Sequence, residues 1–198
     1  MEPGDPLPNE LLRQYTMWIV MHEVGHTLGL RHNFRSSAST PMDQLHNTAF
    51  TGANGVYGSV MEYPTVNLAP PGERNGDYYT HDVGSYDRWA ISYAYTQHQD
   101  DANDIARGVA DLGHMYGTES DVRGALDPTI GMYDLGADPL AWGAERSAMI
   151  RDLFPKIPEY ALQDNSAFVD VTNAYNQLMN EYARALAPAV KYIGGQYM

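Results

Sequence analysis

The sequence predicts a mainly α-helical fold joined by long ordered loops, and three observations carry that expectation. Residues 11–30 contain nothing that stops a helix except Gly25 and Gly29. Within them YTMWIVM, residues 15–21, is apolar nearly all the way round, the pattern of a helix buried on most sides. Near the C-terminus Phe168, Val171, Tyr175, Leu178 and Tyr182 fall on one helical stripe, and no strand-like alternation precedes the first helix.

The elements follow in order. Asn9 after a Pro-rich opening is a suitable N-cap, with Glu10 in the first turn, where a negative charge meets the helix dipole favourably. Residues 33–58, rich in Ser, Thr, Asn and Gly, read as one long connection. A compact turn over 58–64 and the Pro/Gly loop NLAPPGERNGD come next. A helix over 85–95 places Tyr86, Trp89, Ala90 and Tyr93 on one face, and a more polar one spans 101–112. Residues 113–137, with five glycines, look irregular. Asp138-Pro139 starts a helix running to about Phe154, ended by Pro155 and Pro158, since proline suits a first turn and not an interior. The last helix covers about 165–187. The division expected is one domain over 1–198, with 9–95 as its first part and 96–198 as a helical C-terminal extension.

Composition removes several function classes. The net charge is −13, lysine occurs only at Lys156 and Lys191, and no basic cluster exists, so no nucleic-acid footprint is expected. Cysteine is absent, which excludes disulfides, thiolate nucleophiles and cysteine-bound zinc. No run reaches the roughly 18 apolar residues of a membrane helix, and MEPGDPLPNE lacks the features of a signal peptide.

The chemistry concentrates in HEVGHTLGLRH, residues 22–32. His22 and His26 are four apart and project from one helix face, where two imidazoles can grip one Zn²⁺. Glu23 beside them can take a proton from water. Gly29 allows a sharp turn through positive φ, which brings His32 round as a third ligand. Three protein nitrogens leave a fourth position open, as in catalytic zinc sites. A bare H-E-x-x-H is only suggestive, but chance gives the five-position pattern in roughly one such chain in 10⁴. The competing reading is three core histidines satisfied by the fold. His46, His81, His98 and His114 lack ligand spacing and read as surface or loop residues. The acidic stretches DDANDIARG and DLGADP both miss the order of an EF-hand.

Downstream, Ser59-Val60-Met61-Glu62-Tyr63 resembles the Met-turn of metzincin metalloproteases. That resemblance implies that Met61 forms a floor beneath the histidines and that Tyr63 reaches toward the metal and the reacting carbonyl. Beyond the clan, HEVGHTLGLRHNF, SVMEYPTVNLAPPG, GDYYTHDVGSYDRWAISYAY, YDLGADPLAW and KYIGGQY resemble a bacterial family of large Met-zincins. Full members are much longer and look like exported proteins, so the resemblance implies an exported (periplasmic or extracellular) protein. The resemblance implies that this chain is the C-terminal part of a catalytic domain whose upper β-sheet subdomain lies upstream. The apolar surface of Trp18, Ile19, Val20 and Met21 fits a helix normally covered by such a sheet, and without it the chain is expected to self-associate or be marginally stable and to cleave peptides weakly or not at all. The loop over 64–79 is implied to line a pocket beyond the scissile bond.

The expected activity is hydrolysis of peptide or protein substrates by a water activated on one Zn²⁺, with Glu23 as general base. The alternatives are a non-catalytic zinc-bearing helical binding or scaffold module, and a helical interaction domain without metal. Glu23 speaks against the scaffold, because a structural site has no need of that carboxylate.

Overall fold

The computed structural model describes residues 6–124, 126–162 and 167–197. Over these residues eight α-helices are linked by 3₁₀ turns and loops, and among the described residues there is no strand. The mainly α expectation holds. Among the described residues no helix is long and apolar enough to cross a membrane.

The first helix, α1 (Asn9–Thr27), starts one residue earlier than its sequence suggests. Asn9 is the first helical residue rather than the cap, because the Leu12 amide already donates to the Pro8 carbonyl at 3.2 Å and Pro8 has the fixed φ that leads into a helix. Glu10 bonds both Arg13 and Gln14. At the other end Gly29 has φ +90°, and its amide and that of Leu30 return to the carbonyls of His26 and Gly25 at 3.1 and 3.0 Å. That pairing is a Schellman stop, and it reverses the chain as the Gly29 position predicts.

Helix α1 is held to the rest through a face that is partly polar. Gln14, 1% exposed, accepts from the Tyr78 and Tyr79 amides at 2.7 and 3.1 Å and donates to Asp77 at 2.8 Å. One buried amide therefore docks the end of the Pro/Gly loop, with its polar atoms satisfied. A turn further on, Trp18 packs against the main core of Leu45, Val56, Tyr57, Leu135 and Trp142.

The predicted connection over 33–58 contains more structure than its composition suggests. Two 3₁₀ turns, Ser36–Ser39 and Met42–Gln44, precede α2 (Thr48–Asn54). Asn47 caps α2 by accepting from the Ala49 and Phe50 amides, which stabilises a segment of otherwise poor helix formers. Helix α3 (Ser85–Tyr95) forms as expected, but its buried residue is Asp87 and Tyr93 is half exposed. Helix α4 (Gln99–Ala106) ends before the predicted residue 112, giving way to the 3₁₀ turns Arg107–Ala110 and Leu112–His114. The reason is local: the Trp89 indole takes the Ile105 carbonyl and the His114 ring takes that of Gly108, both at 2.7 Å.

The irregular stretch after this contains a short helix, α5 (Glu119–Gly124), which composition did not suggest. Helix α6 (Pro139–Leu153) begins under an Asp138 cap as predicted. Pro155 and Pro158 stop α6 yet lie at the starts of a 3₁₀ turn, Phe154–Lys156, and of α7 (Ile157–Ala161). Helix α8 (Phe168–Lys191) packs along α6. It runs four residues past its predicted end, through Pro188, because Ala185 and Pro188 are both buried and packing overrides the proline's cost. The predicted start near residue 165 and the first five residues of the Pro-rich opening lie outside the described residues.

The outer side of α1 is uncovered. Leu12, Val20, Val24 and Leu28 are between 44% and 56% exposed, and with Met17 and Met21 they make an open apolar shelf of the kind that drives association. Replacing Val20 and Val24 together by glutamine is expected to reduce self-association in sedimentation velocity. Each change should alter the unfolding free energy by no more than about 0.5 kcal/mol. A large drop in melting temperature would show that this face is packed in solution.

Candidate metal centre

His22 and His26 project from the last turns of α1, and the Schellman stop swings His32 back toward them. The ring centroids of the three lie 4.8, 5.3 and 4.8 Å apart, and one ligand atom from each falls within 4.8 Å of the others. Each ring is oriented through its Nδ1. The Nδ1 of His22 donates to the Val60 carbonyl at 2.8 Å, that of His26 to the Leu30 carbonyl at 3.1 Å, and that of His32 to the Glu119 carboxylate at 2.5 Å. With every Nδ1 carrying a proton, every Nε2 presents a lone pair, the arrangement that fixes tautomer and aim in histidine metal sites. The His32 Nε2 is buried and has no hydrogen-bond partner, as fits an atom reserved for an ion. Burial holds the His22 imidazole below its usual pKa, which favours the neutral, ligating form,.

Met61 sits below this group, 0% exposed. A Cβ built on Gly25, the α1 residue between two of the histidines, would lie 2.4 Å from the Met61 sulfur. Only glycine there lets the methionine sit directly under the helix. Met61 is held in turn by its backbone: its amide donates to the Ser59 hydroxyl at 3.1 Å and its carbonyl accepts from the Asn33 amide at 3.0 Å. Asp87 fixes the turn from α3, accepting from the Ser59 hydroxyl at 2.6 Å and the Val60 amide at 2.8 Å.

Tyr63 closes one side. Its ring is 4.4 Å from that of His32 and 5.4 Å from those of His22 and Phe34, and burial with nearby negative groups raises its hydroxyl pKa. Glu23, next to His22 on α1, is exposed, and its charge acts on both His22 and Tyr63. The structure thus brings His22, His26, His32, Met61, Tyr63 and Glu23 to one place. Sequence reasoning missed Glu119, Val60, Leu30 and Asp87. Glu119 lies 87 residues from His32 on a helix without a strong signature, and no local pattern marks it. Its carboxyl is held down to about 2, first by the Thr118 hydroxyl and then by its own amide and His32.

A family model described as Met-zincin matches residues 4–198. The chain belongs to the Met-zincin family. No curated protein and no solved structure matches it. In this Met-zincin the remaining histidines stay away from the centre. His114 stacks on Trp89 at 5.0 Å, His81 faces Asp77 at 3.6 Å, and His46 accepts from the Gly76 amide at 3.4 Å. His98 is exposed just before α4.

Glu119→Gln keeps an acceptor for the His32 Nδ1 but removes its charge. Metal affinity, measured by competition with a chelator, is expected to fall roughly 10- to 100-fold. Unchanged affinity would show that the Glu119 charge does not support the His32 ligand.

Proposed function

We propose that this chain is the core of a zinc-dependent endopeptidase, with His22, His26 and His32 holding one Zn²⁺ through their Nε2 atoms. The observation that carries the reading is the convergence of three Nδ1-anchored imidazoles beside a carboxylate, Glu23, that the fold itself does not use. Nitrogen-only donors in this number suit zinc with a position left open. When bound, zinc supplies a Lewis acid that polarises a carbonyl and acidifies water.

The chain's own groups do the rest. The Glu23 carboxylate takes a proton from the attacking water as its oxygen adds to the scissile carbonyl carbon. It then returns that proton to the amine nitrogen as the C–N bond breaks. The Tyr63 hydroxyl donates a hydrogen bond to the carbonyl oxygen as negative charge builds there. The Met61 floor and the Phe34 and Trp18 rings keep water from beneath the imidazoles. The same proposal places the protein outside the cytoplasm. It also makes the apolar shelf of α1 the surface on which the upstream β-sheet subdomain of a metzincin packs.

The scaffold alternative gives Glu23 no task. Glu23→Gln is therefore decisive: metal content is expected to stay, and cleavage of unstructured peptides to fall on the order of 10²–10⁴-fold. Full activity in that variant would refute the mechanism, and loss of zinc would place Glu23 in the metal site instead.

Tyr63→Phe is expected to keep the metal and lower kcat roughly 10²-fold, whereas Met61→Leu, an apolar swap of similar volume, should leave metal affinity nearly as it was. Equal turnover for Tyr63→Phe and the parent would leave Tyr63 a packing residue. Both are read by peptide cleavage with and without chelator, alongside metal analysis.

A further inference from the structure

We propose that a pocket beside Tyr63 receives a carboxylate of the substrate through Arg146, so that peptides with an acidic group close to the cleaved bond are preferred. The assignment rests on the peptidase reading above. The pocket has a volume of about 390 Å³, and Thr65, Tyr79, Tyr133, Arg146, Glu181 and Arg184 contribute to its walls.

Two ring contacts join it to the metal centre on either side. Tyr133 stacks on Tyr63 at 6.3 Å, and Tyr63 in turn lies 4.4 Å from the His32 ring. Tyr79 stacks on Trp18 at 5.8 Å, and Trp18 lies 5.6 Å from the His22 ring. The Tyr133 amide also donates to the Tyr63 carbonyl at 2.9 Å, fixing the pocket wall to the turn. Extended chain advances about 3.3 Å per residue, so one to three residues reach from the histidines to the pocket.

The charges in the pocket do not cancel. Arg184 is bonded to Glu181 at 2.7 Å and lies over the Tyr133 ring at 4.9 Å. Among the described residues Arg146 has no ion-pair partner, and its buried Nε has no hydrogen-bond partner. Burial draws its guanidinium pKa below the ordinary value, against the pull of Glu181 and Tyr79. In a chain of net charge −13, an unpaired and partly desolvated guanidinium is costly to the fold alone. Its planar fork suits a carboxylate, which it can bind through two parallel hydrogen bonds.

The test uses N-acetylated, C-amidated peptides with glutamate, glutamine or lysine placed in turn at each position around the cleaved bond. At one position kcat/KM for glutamate is expected to exceed that for glutamine by about tenfold to a hundredfold. In Arg146→Met that ratio should drop to near one, and in Arg146→Lys it should be partly kept. A preference seen only with free C-terminal peptides assigns the carboxylate to the chain end and still supports the pocket. A ratio near one at every position in the parent, with both kinds of peptide end, overturns it. So does a ratio that survives in a well-folded Arg146→Met protein. If no peptide is cleaved even when the upstream subdomain is joined to this chain, the peptidase reading fails and the pocket is decided separately. Titration of ¹⁵N-labelled, zinc-free protein should shift the Arg146 Nε–Hε signal with N-acetylglutamate and not with N-acetylglutamine amide, and identical responses to the two overturn the assignment.

Discussion

The Val60 carbonyl accepts from two rings of α1, the His22 imidazole at 2.8 Å and the Trp18 indole at 3.2 Å. One oxygen with two lone pairs thus aims an imidazole of the candidate metal centre and anchors the helix that carries it. Everything else about the centre follows from keeping that oxygen still. The amide of the same residue is clamped by Asp87, which also takes the Gly84 amide at 2.8 Å, so the first turn of α3 and the Met-turn share one carboxylate. Were Val60 to move, the Nδ1 of His22 would lose its acceptor inside the protein, where an unpaired donor costs about 1–3 kcal/mol.

The turn is held from the other side by a second buried acid. Glu62, 0% exposed, accepts from the Ser36 hydroxyl and the Ser37 and Tyr63 amides at 2.9 to 3.1 Å. Asp134 takes the Ser37 hydroxyl at 3.0 Å. Burial, with Asp134 nearby, pushes the Glu62 carboxyl well above its usual range, and burial brings that of Asp134 to about 6. These acids tie the loop after His32, the Met-turn and the approach to α6 into one polar interior. Such an interior specifies geometry more sharply than apolar packing, because each donor admits few positions.

What was legible in the sequence is what a short stretch of chain decides by itself. The spacing of His22 and His26, the reversal at Gly29 and the Asp138 cap of α6 all depend on neighbours within one or two turns, and each appears where it was read. The Met-turn was legible only by likeness, since nothing in SVMEY alone says that Met61 faces Gly25. The proton acceptors of the three histidines were illegible. Two are backbone carbonyls, which carry no residue identity, and the third, Glu119, is one acid among 25 Asp and Glu. Helix α2 hid behind residues of low helix propensity because a single cap and tertiary contacts sustain it. The end of α8 was misjudged because Pro188 weakens a helix locally while its buried ring packs in the interior.

The separation of His32 from Glu119 also bears on the order in which the site can assemble. His22 and His26 share one helix, and His32 is only six residues beyond, so these three can gather while most of the chain is still unfolded. The partner that aims His32 arrives across an 87-residue span. Doubling such a loop costs only about 0.6 kcal/mol more in closure entropy, but long-range closure is slow compared with a helix turn. Gathering of the three imidazoles and alignment of the last one by Glu119 are therefore separable steps. A ribosome would have released the three histidines well before the residue that completes their geometry existed.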